Sequence, residues 1–144
     1  LVDVFTERAY AGNGLAVFPE AAGLTTGQMQ AIATELRQVE SIFLERTTDP
    51  RCVRARIFTP EEELPFAGHP SLGAAAVLRE ESADRGTEAE WTLELAGRTV
   101  PVTTRHTPAG VHAEMQQGIA TFPSIVRAGN AMVRLLEWQG LQGE

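Results

Sequence analysis

"RIFTPEEELPFAGHPSLGAAAVL", residues 56–78, decides how this chain folds. It opens as a strand: Val53, Ala55 and Ile57 alternate with Arg54 and Arg56, which gives one buried face and one wet face, and Pro60 stops the run. Glu61, Glu62 and Glu63 follow as a charge run, the first two of which read as a solvated loop. From Pro70 to about Glu81 the residues Leu72, Ala74, Ala75, Ala76, Val77 and Leu78 are apolar on nearly every side of a helix. A helix of that kind is enclosed by protein, and its small residues let strands approach closely. Gly68, His69 and Pro70 stand at its mouth, with Pro70 expected at the first helical position.

The flanking segments supply the enclosure. Upstream, Leu1–Phe5 and Leu15–Phe18 read as two strands joined by a tight turn at Ala11-Gly12-Asn13-Gly14. A helix is expected at about 26–38. Thr25 and Gln28 form a capping box, Leu24 staples onto Met29, and Met29, Ile32, Ala33 and Leu36 recur at helical spacing. Val39–Leu44 is the next strand. Downstream, a polar linker at Ser82–Ala89 leads to a meander built on Trp91, Leu93 and Leu95, then Val100 and Val102, then Val111, Ala113 and Met115, with turns at Ala96-Gly97 and Pro108-Ala109-Gly110. Ser124 caps an expected last helix carrying Ile125, Val126, Met132, Val133, Leu135 and Leu136 and ending before Gly140. The order β-β-α-β-β-α-β-β-β-α lacks the alternation of a doubly wound sheet. It predicts an α+β fold in which a mixed or antiparallel β-sheet curls barrel-like around a central apolar α-helix at 70–81.

Composition removes several kinds of function. The formal net charge of −7, spread along the chain, argues against a nucleic-acid partner or an anionic membrane surface. The apolar run Leu72–Leu78 is too short to span a bilayer and no leader-like segment opens the sequence, so the expected location is cytoplasmic. The first residue is Leu1 rather than methionine, so further N-terminal residues are expected. All 12 basic residues are arginine. Without a lysine amine the chain itself offers no Schiff base, pyridoxal phosphate anchor or Walker-type phosphate loop. Gly12-Asn13-Gly14 lacks the third glycine of a dinucleotide fingerprint. Cys52 is the single cysteine, and His106 and His112 lack ligand spacing with His69, so neither a disulfide nor a metal site is expected. Trp91 and Trp138 are read as core or interface anchors.

Two polar residues stand out. The free N–H groups and positive dipole end of the helix at 70–81 suit a carboxylate, Gly68 leaves the backbone uncovered, and His69 adds a donor that titrates near neutrality. His69 also reads as an N-cap or loop histidine bonded to backbone. Glu40, entered directly from a helix beside Val39, Ile42 and Phe43, is either a half-desolvated acid/base group with a raised pKa or an exposed strand-end glutamate.

The segments "VDVFTERAYAGNGLAVF", "QMQAIATELRQVESIFL", "RIFTPEEELPFAGHPSLGAA" and "GVHAEMQQ" resemble, in order and spacing, the PhzF-like isomerases of phenazine biosynthesis, whose fold is shared with diaminopimelate epimerase. The resemblance covers about residues 2–122. It implies that Glu40 is the acid/base group and that Asn13, Gly68, His69, Pro70 and Ser71 form the substrate-binding set, with no metal or organic cofactor. Ala67 stands where related epimerases carry a cysteine and Cys52 lies elsewhere, which disfavours a two-thiol racemase. Gly14 replaces the family's usual proline, and Gln117–Phe122 matches loosely. The resemblance further implies a half-domain at 1–122, a connector helix at 123–144, and a second half absent from the chain. Two functions follow as expectations. One is a cofactor-independent isomerase acting on a small carboxylate, its cleft completed by a second copy in a homodimer or by a complementary chain. The other is a catalytically silent half-domain that binds a ligand or a protein.

Overall fold

The computed structural model describes residues 1–6, 11–84, 86–108 and 110–115. The expected helix after Ser124, and with it the proposed connector at 123–144, lies outside the described residues.

Among the described residues, eight strands form one mixed sheet: β1 (Val2–Val4), β2 (Asn13–Phe18), β3 (Glu40–Arg46), β4 (Cys52–Phe58), β5 (Glu63–Leu64), β6 (Glu88–Leu95), β7 (Arg98–Thr107) and β8 (Gly110–Met115). Their order is β1-β2-β3-β4-β6-β7-β8, with β5 hydrogen-bonded to β4 beside this path. The pairs β2–β3 and β4–β6 are parallel and the others antiparallel. Two helices, α1 (Thr26–Leu36) and α2 (Gly68–Glu81), make the crossovers.

The position of α2 decides the architecture. It packs against β1 and β2 at one end of the strand order and against β7 and β8 at the other, as well as β3 and β6, so the sheet is curled around it. Every residue from Pro70 to Arg79 is buried. Gly73 is the tightest contact. A Cβ built there would stand 2.4 Å from Leu15 Cδ2 and 3.1 Å from Val4 Cγ2, so the absent side chain is what lets β1 and β2 lie against the helix. The inner core adds Val2, Val4, Leu15, Ile42, Leu44, Ile57 and Trp91. Trp91 is a core anchor, as read from the sequence, and its Nε1–H donates to Thr104 Oγ1 at 2.8 Å.

A smaller core lies on the outer face of the sheet, where α1 covers Phe43 and Phe58 with Met29 and Ala33. The capping box is formed: Gln28 N donates to Thr25 Oγ1 at 3.1 Å and Thr25 N to Gln28 Oε1 at 2.9 Å. Leu24 packs into the same cluster as Met29, as the staple requires.

Three local expectations are corrected. The turn at residues 11–14 is not a tight hairpin, because Asn13 and Gly14 already pair with Val4 and Asp3 inside β2. Gly12 serves close approach instead, since a Cβ there would meet the Val4 carbonyl oxygen at 2.3 Å. Helix α2 begins at Gly68 with Ala67 as N-cap, which makes Pro70 its third residue rather than its first. A proline is tolerated there because that N–H has no intrahelical acceptor in any case. The third is β5, a two-residue strand in the segment where the charge run predicts a loop. Its Glu63 leaves the glutamate run to grip the Arg56 guanidinium with two contacts of 2.8 Å.

Candidate active site

Strand alternation aims Glu40 inward. Ile42 and Leu44, two and four residues on, belong to the inner core, so Glu40 shares their face at the strand's first position. The N-terminus of α2 opens at that same end of the curled sheet. His69 Nδ1 lies 2.7 Å from Glu40 Oε2, with the two side chains only 11% and 12% exposed. Glu40 Oε2 and His69 Nε2 are both buried without an aligned hydrogen-bond partner, so the contact is electrostatic and both atoms keep capacity for a third group. With Ala67 as cap and no side chain capping it, the N–H groups of Gly68 and His69 also lack acceptors within the helix. The arrangement therefore joins a shielded carboxylate and imidazole to backbone donors at the positive end of a helix.

Of the three neighbours that suggested the burial of Glu40, only Ile42 shares its face. Val39 is 67% exposed, and Phe43 points to the outer core. The shielding of Glu40 comes instead from its inner face, where His69 meets it.

The other candidates are placed as follows. Asn13 is exposed at the start of β2 and, because Leu15 pairs with Glu40, lies at the same end of the sheet on the same strand face as Leu15. Gly68 is half-buried, and Pro70 is buried under it. Ser71 is fully buried and its hydroxyl donates to the Ala67 carbonyl at 2.8 Å, back across the first turn. Cys52 is remote. It lies beyond Val53, which pairs with Arg46 at the far end of β3 from Glu40, about 20 Å away at the usual strand rise. Desolvation, followed by the Glu94 carboxylate, pushes its thiol pKa up, away from nucleophilic character. Among the described residues no group of three or more His, Cys, Asp or Glu side chains is placed to hold a metal ion.

A concavity of about 820 Å³ lies elsewhere, on the outer face, lined in part by Phe43, Glu45, Arg54, Arg56 and Glu94. Neither Glu40 nor His69 lines it, and its carboxylates are each held by an arginine: Arg54 reaches Glu45 and Glu94, and Arg56 holds Glu63, while Arg98 lies over the Phe66 ring. Volume alone does not make it the reactive site, since it lacks an unpaired acid or base.

Two residues at the inner site and its helix escaped the sequence reading. Phe5 faces His69 with ring centroids 6.4 Å apart, and nothing in a strand-end phenylalanine announces that. Arg79 is fully buried near the other end of α2, where it donates to the Gly86 carbonyl. It follows the apolar run directly and precedes Glu80 and Glu81, so in the sequence it looks like part of a solvated helix end.

A family model for phenazine biosynthesis-like proteins (PhzC-PhzF) matches residues 2–142. An uncharacterized isomerase of Pasteurella multocida is 55% identical over 82 residues, which are 56% of this chain and 28% of that protein. The trans-2,3-dihydro-3-hydroxyanthranilate isomerase of Pseudomonas aeruginosa is 37% identical over 145 aligned residues, covering 99% of this chain and 49% of the relative. The solved structure of a predicted epimerase from Pseudomonas aeruginosa superposes with a TM-score of 0.76 at 54% identity, covering 79% of this chain and 40% of that one. The chain thus spans about half or less of the length of the relatives it matches.

Proposed function

Because the chain belongs to the phenazine biosynthesis-like (PhzC-PhzF) family, we propose that it supplies one half of an isomerase that moves a proton between carbon positions of a small carboxylate substrate. The observation that carries this reading is the 2.7 Å approach of His69 Nδ1 to Glu40 Oε2 at the mouth of α2. Glu40 takes the proton from an activated C–H and returns one either at another carbon, an allylic shift, or to the opposite face of the same carbon, an epimerisation, so one carboxylate is both base and acid. The backbone N–H groups of Gly68 and His69, joined by His69 Nε2–H when the imidazole carries both protons, receive the substrate carboxylate, or the negative charge that develops as the C–H bond breaks. Asn13 and the backbone around Pro70 and Ser71 shape the rim. No metal or organic cofactor enters these steps. The opposing wall comes from a second copy of the chain or from a complementary half.

The test is exchange in deuterated water, with trans-2,3-dihydro-3-hydroxyanthranilate as probe because a 37% identical relative bears its name. Deuterium should enter the probe with the full chain and should be lost with Glu40→Gln, which keeps shape and removes the base. Undiminished exchange in Glu40→Gln rules the role out. Binding of the probe without exchange, in a sample that light scattering sizes as a monomer, favours the silent half-domain instead.

A further inference from the structure

Phe5 lies beside the Glu40–His69 pair, and proton transfer between carbon atoms gives it no task. Its backbone is left-handed, with φ of 66°, an uncommon conformation for a bulky side chain. Its neighbours impose it. Val4 is locked in register with Asn13, and Gly12 returns so closely that a Cβ there would stand 2.3 Å from the Val4 carbonyl oxygen and 2.6 Å from Thr6 Cγ2. Strained backbone persists where the surroundings over-determine it, and it clusters at functional sites.

The result of the strain is the position of one ring. Phe5 is half-buried, packs on the inner core, and tilts 48° to the His69 imidazole. An imidazole needs such a wall. Its last torsion is broad and roughly two-fold, so a backbone fixed at the second residue of α2 does not by itself decide which ring nitrogen meets Glu40. In this structure Nδ1 does, and Nε2 stays buried without a partner.

We propose that Phe5 is a positioning residue that holds the His69 ring with Nδ1 toward Glu40 and keeps water from Nε2, so that this nitrogen is reserved for substrate. The inference rests on the reading of Glu40 and His69 as the proton-handling pair. It goes further in assigning the orientation of the His69 ring to the aromatic residue beside it.

Histidine-selective ¹⁵N labelling of the full chain, with long-range proton–nitrogen spectra recorded above the imidazole titration, reads the tautomer of His69 directly. Wild type should show a single tautomer protonated on Nδ1. In Phe5→Gly the ring is removed at no backbone cost, because glycine occupies positive φ freely. Its two His69 nitrogen shifts should move toward a common average, while Phe5→Tyr, which retains the ring, should restore the wild-type pattern. Thermal unfolding recorded alongside separates this from simple core filling, which lowers the midpoint without moving the tautomer. Wild-type His69 shifts in Phe5→Gly overturn the proposal, as does a Phe5→Tyr protein that behaves like Phe5→Gly. Should Phe5→Gly fail to fold, Phe5→Leu is judged by the same criterion. The spectra need no substrate, so absent isomerase activity leaves the result readable. A His69 tautomer unchanged in Glu40→Leu, which removes the acceptor facing Nδ1, refutes the pairing itself rather than the part played by Phe5.

Discussion

Changing Gly73 to alanine sets two known effects against each other. In an exposed helix the substitution stabilises by about 1 kcal/mol, because glycine has the larger conformational entropy to lose. Here the new methyl would stand 2.4 Å from Leu15 Cδ2, roughly 1–1.5 Å inside normal carbon contact. Leu15 is fully buried, so its methyl has no empty space to move into. Overpacking of that kind costs about 1–3 kcal/mol. The net expectation is a loss of about 0–2 kcal/mol, opposite in sign to the helix-propensity effect.

The strain should also reach the site, because Leu15 is the strand partner of Glu40. A shift of β2 or α2 changes the distance from Glu40 to His69. Urea denaturation followed by circular dichroism measures the first effect, and the His69 nitrogen spectra the second. Shortening the opposing side chain in a Gly73→Ala, Leu15→Val double mutant should recover part of the stability. A Gly73→Ala protein about 1 kcal/mol more stable than wild type would refute the reasoning, since it would mean that α2 has slack against β1 and β2.

Thr104→Val should cost about 1–3 kcal/mol in urea unfolding, because it leaves the Trp91 indole N–H buried without its acceptor. Thr25→Ala removes the capping-box acceptor for Gln28 N and should cost about 1 kcal/mol, with the loss visible in the same denaturation curve. The Asp84 carboxyl is held below its ordinary 3.8 first by the Gly86 N–H and then by the Arg51 guanidinium, so its contribution to stability is present above that value. That contribution is lost as pH falls below about 3.8 through the folded-state value, and Asp84→Asn should flatten this part of a pH–stability profile recorded by thermal unfolding.

What the sequence made legible was local or periodic. Thr25 and Gln28 sit three residues apart, so their capping box depends on nothing distant, and it formed as read. The alternation in β4 and the apolar run of α2 report burial directly, and burial on every side of a helix leaves a sheet curled around it as the economical solution. Gly12 misled because glycine marks both turns and close approaches, and only the position of Val4 tells them apart. Val39 misled because an apolar residue next to Glu40 carries no mark of facing solvent. Ala67 offers no side-chain cap, so the true start of α2 had no local sign. The meeting of Glu40 with His69 belongs to neither class. It depends on the register of β3 against β2 and on where α2 enters the curl, and in the sequence it was visible only through resemblance to a family.

The charge of the whole chain bears on that meeting as well. A formal net charge of −7 should repel an anionic substrate, yet much of the acidity is neutralised where it stands. Arg46 holds Glu20 and Glu81, Arg51 holds Asp84, Arg54 holds Glu45 and Glu94, and Arg56 holds Glu63. These pairs are partly exposed and contribute little to stability, but each carboxylate beside a guanidinium projects a weaker field than a lone one. What remains is screened over about 8 Å at physiological ionic strength. The helix terminus and His69 act within hydrogen-bond distance, inside that length. Anion capture at the mouth of α2 should therefore depend weakly on added salt and strongly on His69. His69→Ala should weaken binding of a carboxylate probe by about 1–3 kcal/mol in calorimetry, as expected for a lost charge-assisted hydrogen bond. An affinity that falls steeply with salt and ignores His69→Ala would place the anion at the exposed arginines and away from Glu40.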